Sequence, residues 1–163
     1  MRLLSFSMVL AACLWAGGPA LGASQPDHRP SGDIIWFQPS RVIIEGTHLI
    51  ENGRVEEGMA MIRQEMEKDL HRNDRESGHN NLCVGHLLLK QFDEALKQCS
   101  ITIGLKPSMW QGYNNRGNAR LALGDVAGAI PDCEKALELN PDSITVQGNL
   151  DLAKRRLAEL KKH

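Results

Sequence analysis

Two prolines 34 residues apart, Pro107 and Pro141, bound the segment PSMWQGYNNRGNARLALGDVAGAIPDCEKALELN, and its register continues upstream. Moving back by the same 34 residues from Ala129, Cys133, Asn114 and Asn115 lands on Ala95, Cys99, Asn80 and Asn81. A fixed period of this size marks a repeat architecture, in which no unit buries its apolar face alone and neighbours must stack. Within the unit, Tyr113, Arg116, Gly117 and Arg120 fall on one side of a helix, and Leu123, Gly124 and Asp125 form a turn. Ala129, Cys133 and Ala136 then recur at helical spacing, small where two helices must approach, and Asn140 with Pro141 ends the run. Each unit is therefore a helical hairpin. Pro131 lies inside the second helix, where it removes a backbone donor and crowds the preceding turn, so that helix is expected to start late or bend.

The order of residue types resembles the tetratricopeptide repeat, W-x2-L-G-x2-Y, then A-x3-F, then P. Tyr113 stands at the Trp position, Gly117, Ala129 and Pro141 match, and Ala136 fits the second small position. Arg116, Arg120 and Cys133 depart from the pattern. Two arginines at packing positions imply stems lying on apolar surface, with heads that reach water or face acidic groups. The resemblance covers Glu76 to Pro141 and, in degenerate form, Arg41 to Leu70; it does not reach the amino-terminal arm. It implies an all-α solenoid of about three helix-turn-helix units, over 41–70, 76–107 and 110–141, plus a capping helix over 143–161.

The first unit places Val42, Gly46 and Leu49 on one helix, Asn52 and Gly53 in its turn, and Val55, Gly58, Met59 and Ile62 on a second. From Gly53 to Lys90, the next turn position, the spacing is 37 residues, so extra residues fall in the polar stretch His71 to Glu76. The second unit carries His79, Leu82, Cys83 and His86, then Phe92, Ala95, Leu96, Cys99 and Thr102. After Pro141, Leu150, Ala153, Leu157 and Leu160 form one apolar stripe, while Lys154, Arg155, Arg156, Lys161 and Lys162 keep the rest polar. Such a helix closes an array and suits the exposed carbonyls of a neighbouring terminus.

Upstream, Arg2, an apolar run from Leu3 to Ala16, and small residues at Ala20, Gly22 and Ala23 read as a secretory signal peptide over 1–23. The run is shorter than the roughly 20 residues of a membrane span, so no transmembrane segment is expected after cleavage. A competing reading takes Leu10, Ala11, Ala12 and Cys13 as a bacterial lipoprotein motif with a lipid on Cys13. The protein is expected to be exported, to the periplasm of a Gram-negative bacterium or otherwise to the medium. Residues 24–40 have the composition of an extended arm, interrupted by Ile34, Ile35, Trp36 and Phe37. That apolar cluster either caps the first hairpin or lies in the groove as an internal ligand.

A net charge of −1 and 4% aromatic residues argue against nucleic acid as a partner. Besides Cys13 the chain has Cys83, Cys99 and Cys133, and an oxidising compartment permits disulfides. Cys83 and Cys99 fall on facing sides of one hairpin and are candidates for a bridge; alternatively all three are small core residues. His79, Cys83 and His86 project from one helix face, with Cys99 opposite, a spacing that suits zinc or copper as an alternative to ordinary packing. No phosphate loop, H-E-x-x-H, nucleophile elbow or haem-attachment motif occurs, so no enzyme and no cofactor are expected.

An asparagine amide offers donor and acceptor together and can hold a peptide bond without reading its side chain. The family's inner groove would here show Asn80 and Val84, with Ser77 and Leu87, and then Gln111, Asn114, Asn118 and Leu121. Its occupant would be an extended segment of another exported protein. The alternative is that these asparagines bond only within their own array. Members of the family that clamp a carboxy-terminal carboxylate use paired Lys and Arg with Asn in the groove; Gln111 and Asn115 stand where those cations would be wanted, so the resemblance does not support that subtype here.

Overall fold

A computed structural model describes residues 40–162; the signal segment, Cys13 and the Ile34 to Phe37 cluster lie outside them. The described residues form seven helices: α1 (Arg41–Glu51), α2 (Val55–Met66), α3 (Arg72–Leu88), α4 (Phe92–Leu105), α5 (Trp110–Leu123), α6 (Val126–Leu139) and α7 (Ile144–Leu160). Consecutive helices pair as three hairpins, α1–α2, α3–α4 and α5–α6, and α7 closes the last against both α5 and α6. The architecture is an all-α solenoid of three hairpins plus a capping helix.

The three hairpin turns share one device. Gly53 and Gly124 have φ of 82° and 84°, and Lys90 at the equivalent place has φ of 57°. A left-handed residue there reverses the chain, and glycine does so without a Cβ penalty. Asp125 then opens α6 by accepting a hydrogen bond from the Gly128 amide at 2.9 Å, and Ser143 opens α7 by accepting one from the Val146 amide at 3.3 Å.

The helices of each hairpin cross at small residues. Gly46 meets Gly58, Cys83 meets Cys99, and Gly117 meets Cys133. Buried Ile43, Ile50, Met59 and Ile62 fill the first hairpin, so Ile43 and Ile50, rather than Val42 and Leu49, turn inward with Gly46. The phase of α1 follows from Gly46, since the residue at the crossing point fixes which neighbours point to the partner helix. On α7 the buried stripe is Val146, Leu150 and Ala153, while Leu160 is 62% exposed.

The added residues between the first two hairpins are helical. α3 has 17 residues against 14 in α5, and the polar stretch from Arg72 to Glu76 is its extra opening turn. Two acids in that turn are buried: Asp74 accepts from the Ser40 amide at 2.8 Å, and Glu76 lies 3.3 Å from the Lys106 ammonium. Arg72 donates to the Leu105 carbonyl at 2.6 Å, tying the start of α3 to the end of α4.

α6 does not start late: it runs from Val126 to Leu139 with Pro131 inside. Pro131 is exposed, as is Ala127, whose carbonyl loses its partner to the ring. Water can take that carbonyl, so the defect costs little on this face.

Candidate functional site

The first helices of successive hairpins touch one another, α1 with α3, α3 with α5 and α5 with α7, whereas the second helices α2, α4 and α6 do not. A layer that is closed on one side and splayed on the other curves, so α1, α3, α5 and α7 form the concave face.

Two runs of side-chain hydrogen bonds tie the helices of this face together. Asn81 donates to the Thr47 hydroxyl at 2.5 Å, Asn115 to Asn80 at 3.4 Å, Asn114 to Asn115 at 3.4 Å, and Asn149 to Asn114 at 2.9 Å. The repeat period places each amide one helix away from its partner: 34 residues from Thr47 to Asn81, and 35 for the pairs Asn80–Asn115 and Asn114–Asn149. The array therefore uses much of its amide capacity to fasten its own helices.

This sorts the anticipated groove residues. Asn114 is buried, with its amide engaged on both sides, and Leu121 is buried with Val126, Ala129 and Ala153 in the last core cluster. Neither is open to a ligand, because stacking of α7 on α5 covers both. Val84 leans on the first core cluster and is half-buried. Asn80, Gln111 and Asn118 remain half-exposed, and no side-chain partner for Gln111 or Asn118 occurs among the described residues. Where α1 meets α3, the face deepens into a cleft of about 240 Å³ lined by Ile44, Thr47, His48, Glu51, Ser77 and Asn81. The α1 contribution was hidden in the sequence because the first unit carries no proline to fix its register.

Cys83 and Cys99 are joined by a disulfide, with Cα atoms 5.4 Å apart. The metal alternative loses its ligands by this arrangement. The bridge consumes both thiols, His79 Nδ1 lies 2.8 Å from Gln98 Oε1, and His86 Nδ1 lies 2.6 Å from Gln91 Oε1. No cluster of three or more His, Cys, Asp or Glu suited to a metal occurs among the described residues.

The two arginines of the third hairpin face an acid. Asp132 is buried on α6 and accepts from Arg116 Nε and Nη2 at 2.9 and 2.7 Å and from Arg120 Nη1 at 2.7 Å. Arg120 Nη1 also donates to the Gly128 carbonyl at 2.8 Å, and Arg116 lies over the Tyr113 ring at 5.8 Å. The hydrogen bonds that Arg116 donates to Asp132 hold its guanidinium above its ordinary pKa, against the opposing effect of burial. Sequence reasoning missed Asp132; its signal was an acid on α6 immediately before the crossing residue Cys133.

Stacked helical hairpins with a polar concave face of adjacent first helices define a protein-interaction solenoid. Residues 110–143 match the family described as tetratricopeptide repeat. Human peptidyl-prolyl cis-trans isomerase FKBP4 is 31% identical over 83 residues, 51% of this chain and 18% of that protein. Heat shock protein STI1 of Saccharomyces cerevisiae is 34% identical over 77 residues, 47% of this chain and 13% of that one. The chain thus spans less than a fifth of the length of these curated relatives. Among solved structures, the first TPR of Spaghetti (RPAP3) bound to the HSP90 peptide SRMEEVD superimposes with a TM-score of 0.66 at 25% identity, covering 72% of this chain and 90% of that one. The first TPR domain of human RPAP3 gives 0.68 at 25% identity, covering 74% and 93%. No described helix is long and apolar enough to cross a membrane.

Proposed function

We propose that this domain captures an extended segment of another exported protein along the concave face of α1, α3, α5 and α7. The observation that carries the reading is the set of half-exposed, uncharged amides at Asn80, Gln111 and Asn118 on α3 and α5, together with the cleft between α1 and α3 that Ile43 and Ile44 help to line. Amides of this kind bond the backbone of an extended chain, while the cleft takes one apolar side chain. The similarity to a TPR bound to an HSP90 peptide supports peptide capture on this fold. The acidic peptide of that complex is not the expected occupant here, because Gln111 and Asn115 stand where cations would be needed and Asn115 is spent on Asn80 and Asn114. Export is supported by the signal-like residues 1–23 and by the Cys83–Cys99 bridge, which persists in oxidising compartments. The compartment is the periplasm in a Gram-negative host and the medium otherwise.

The test is photo-crosslinking in the native host, with a benzophenone residue placed at Asn118 or Ile44 and, as controls, at Glu94 or Glu138 on the second helices. A discrete adduct with one exported protein from the concave positions alone is the expected result. Adducts of equal yield from both faces, or none from the concave face, would remove the groove as the site.

A further inference from the structure

The extra turn of α3 accompanies an opening on the side away from the groove. Between the first two hairpins lies a cleft of about 480 Å³, with Met66 and Leu82 as apolar lining and His79 and Gln98 beside them. Its cations come from Arg63, Lys68 and Arg75, with Glu67 the one acid among the lining residues.

The repeat register shows what this place holds one unit later. Adding 34 residues carries His79, Leu82 and Gln98 onto Tyr113, Arg116 and Asp132. In the third hairpin these three are filled from within, since Arg116 lies over Tyr113 and grips the buried Asp132 carboxylate at 2.7 Å. In the second hairpin both charges are missing: leucine replaces the guanidinium and glutamine replaces the carboxylate. Cations nevertheless surround the spot from the first-hairpin side. Lys68 is held by Glu65 at 2.6 Å, and Arg75 donates to the Leu70 carbonyl and to the fully exposed Asp69 at 3.1 Å. Arg63 has no ionic partner among the described residues. His79 donates from Nδ1 to Gln98 Oε1, since the amide oxygen only accepts, which leaves Nε2 of the neutral ring as an acceptor.

We propose that this cleft binds a carboxylate carried on an apolar body, the carboxylate meeting Arg63 and Arg75 and the body resting on Met66 and Leu82. The guanidinium fork matches a carboxylate in two parallel hydrogen bonds, and the volume lies within the range of roughly 300–1,000 Å³ usual for small-molecule sites. The carboxylate belongs either to a free organic acid or to an acidic side chain next to an apolar one on a protein. The site is independent of the concave face and stands whether or not that face binds a peptide.

The experiment is methyl NMR on the full folded chain, following the Met66 and Leu82 methyls. The probes are 4-phenylbutyrate with its neutral amide, and blocked Phe-Glu with blocked Phe-Gln. Both methyls should move with an acid and stay with its amide. Response to the free acid alone assigns a small-molecule site; response to blocked Phe-Glu as well assigns a protein side chain. Arg63→Ala gives up no internal ion pair, so it keeps the fold and should weaken binding roughly tenfold, whereas Arg63→Lys should retain part of it. Equal shifts from acid and amide, no shift from either acid, or unchanged binding in Arg63→Ala would overturn the assignment.

Discussion

Gly117 faces Cys133 across the third hairpin in the register in which Cys83 is bonded to Cys99 across the second, and a Cβ on Gly117 would lie 3.0 Å from the Cys133 sulfur. That is the ~3 Å which the bond lengths of a disulfide impose between one Cβ and the far sulfur. Gly117→Cys is therefore expected to create a second bridge, again spanning 16 residues, and to raise stability by about 3 kcal/mol in the chain-entropy account. Intact mass with and without reduction, beside thermal unfolding, checks it. Two titratable thiols in the native variant would show that the hairpins are not superimposable at this crossing.

Asp132 is 5% exposed, and the two arginines that hold it are 20% and 28% exposed. Asp132→Ala strands both guanidinium groups in a half-buried setting. Breaking a buried pair typically costs about 3–5 kcal/mol, and the partial exposure of the arginines lowers the expected loss below that range, to about 2–3 kcal/mol. Arg116→Leu and Arg120→Tyr, which restore the apolar pattern of the family, should recover most of that loss when combined with Asp132→Ala. Urea unfolding of the single and triple variants decides the matter, and a triple variant less stable than the single one would mean that the arginine stems, not the charges, carry the packing.

The hairpin solenoid was legible in the sequence because the 34-residue period acts on the turns and crossings of the second and third hairpins at once: Gly124 and Lys90, Gly117 and Cys83, Ala129 and Ala95 all keep it. Side-chain partnership was less legible. Asn80 and Asn114 are equivalent in register, yet Asn114 alone is covered by α7, so one sequence position has two exposures. Arg116 and Arg120 could reach water or an acid by spacing alone, and only the approach of α6 brought Asp132 between them. Val42 and Leu49 looked apolar enough for the core of α1, but the close approach of Gly46 to Gly58 rotated Ile43 and Ile50 inward.

Replacement of Asn114 and of Asn118 should separate structure from binding. Asn114→Ala removes one buried amide and leaves Asn149 without its acceptor, for an expected loss of about 1–3 kcal/mol. Asn118→Ala, at a half-exposed position, should change stability by less than about 0.5 kcal/mol while reducing yield of the groove adduct. Equal destabilisation by both would place Asn118 within the internal ladder and leave the groove one amide poorer.

Lys90 adopts φ of 57° where the other two turns use glycine. A non-glycine residue in this region costs about 1–2 kcal/mol, and the greater freedom of glycine in the unfolded chain returns part of that. Lys90→Gly should raise stability by roughly 0.5–1 kcal/mol, seen as a shift in the urea midpoint without a change of slope. A loss of stability would show that the Lys90 side chain makes a contribution larger than its backbone strain.

Cys133 is the one free cysteine among the described residues, and burial, reinforced by the neighbouring Asp132 and Glu134, pushes its thiol up to about 11. At pH 8 the native thiol should resist iodoacetamide, which attacks the thiolate, and should react readily in urea. The same shift predicts an alkaline loss of stability. Because the folded-state pKa is raised, the contribution is complete below the unfolded thiol value of about 8.5. It falls away as pH climbs from there through about 11, since the unfolded chain releases a proton that the folded chain retains. Urea melts of the wild type and Cys133→Ala across that window isolate the effect from lysine and tyrosine titration, which the two proteins share. The wild type should lose stability faster than the variant; parallel curves would mean that the thiol ionises in the folded hairpin as easily as in water.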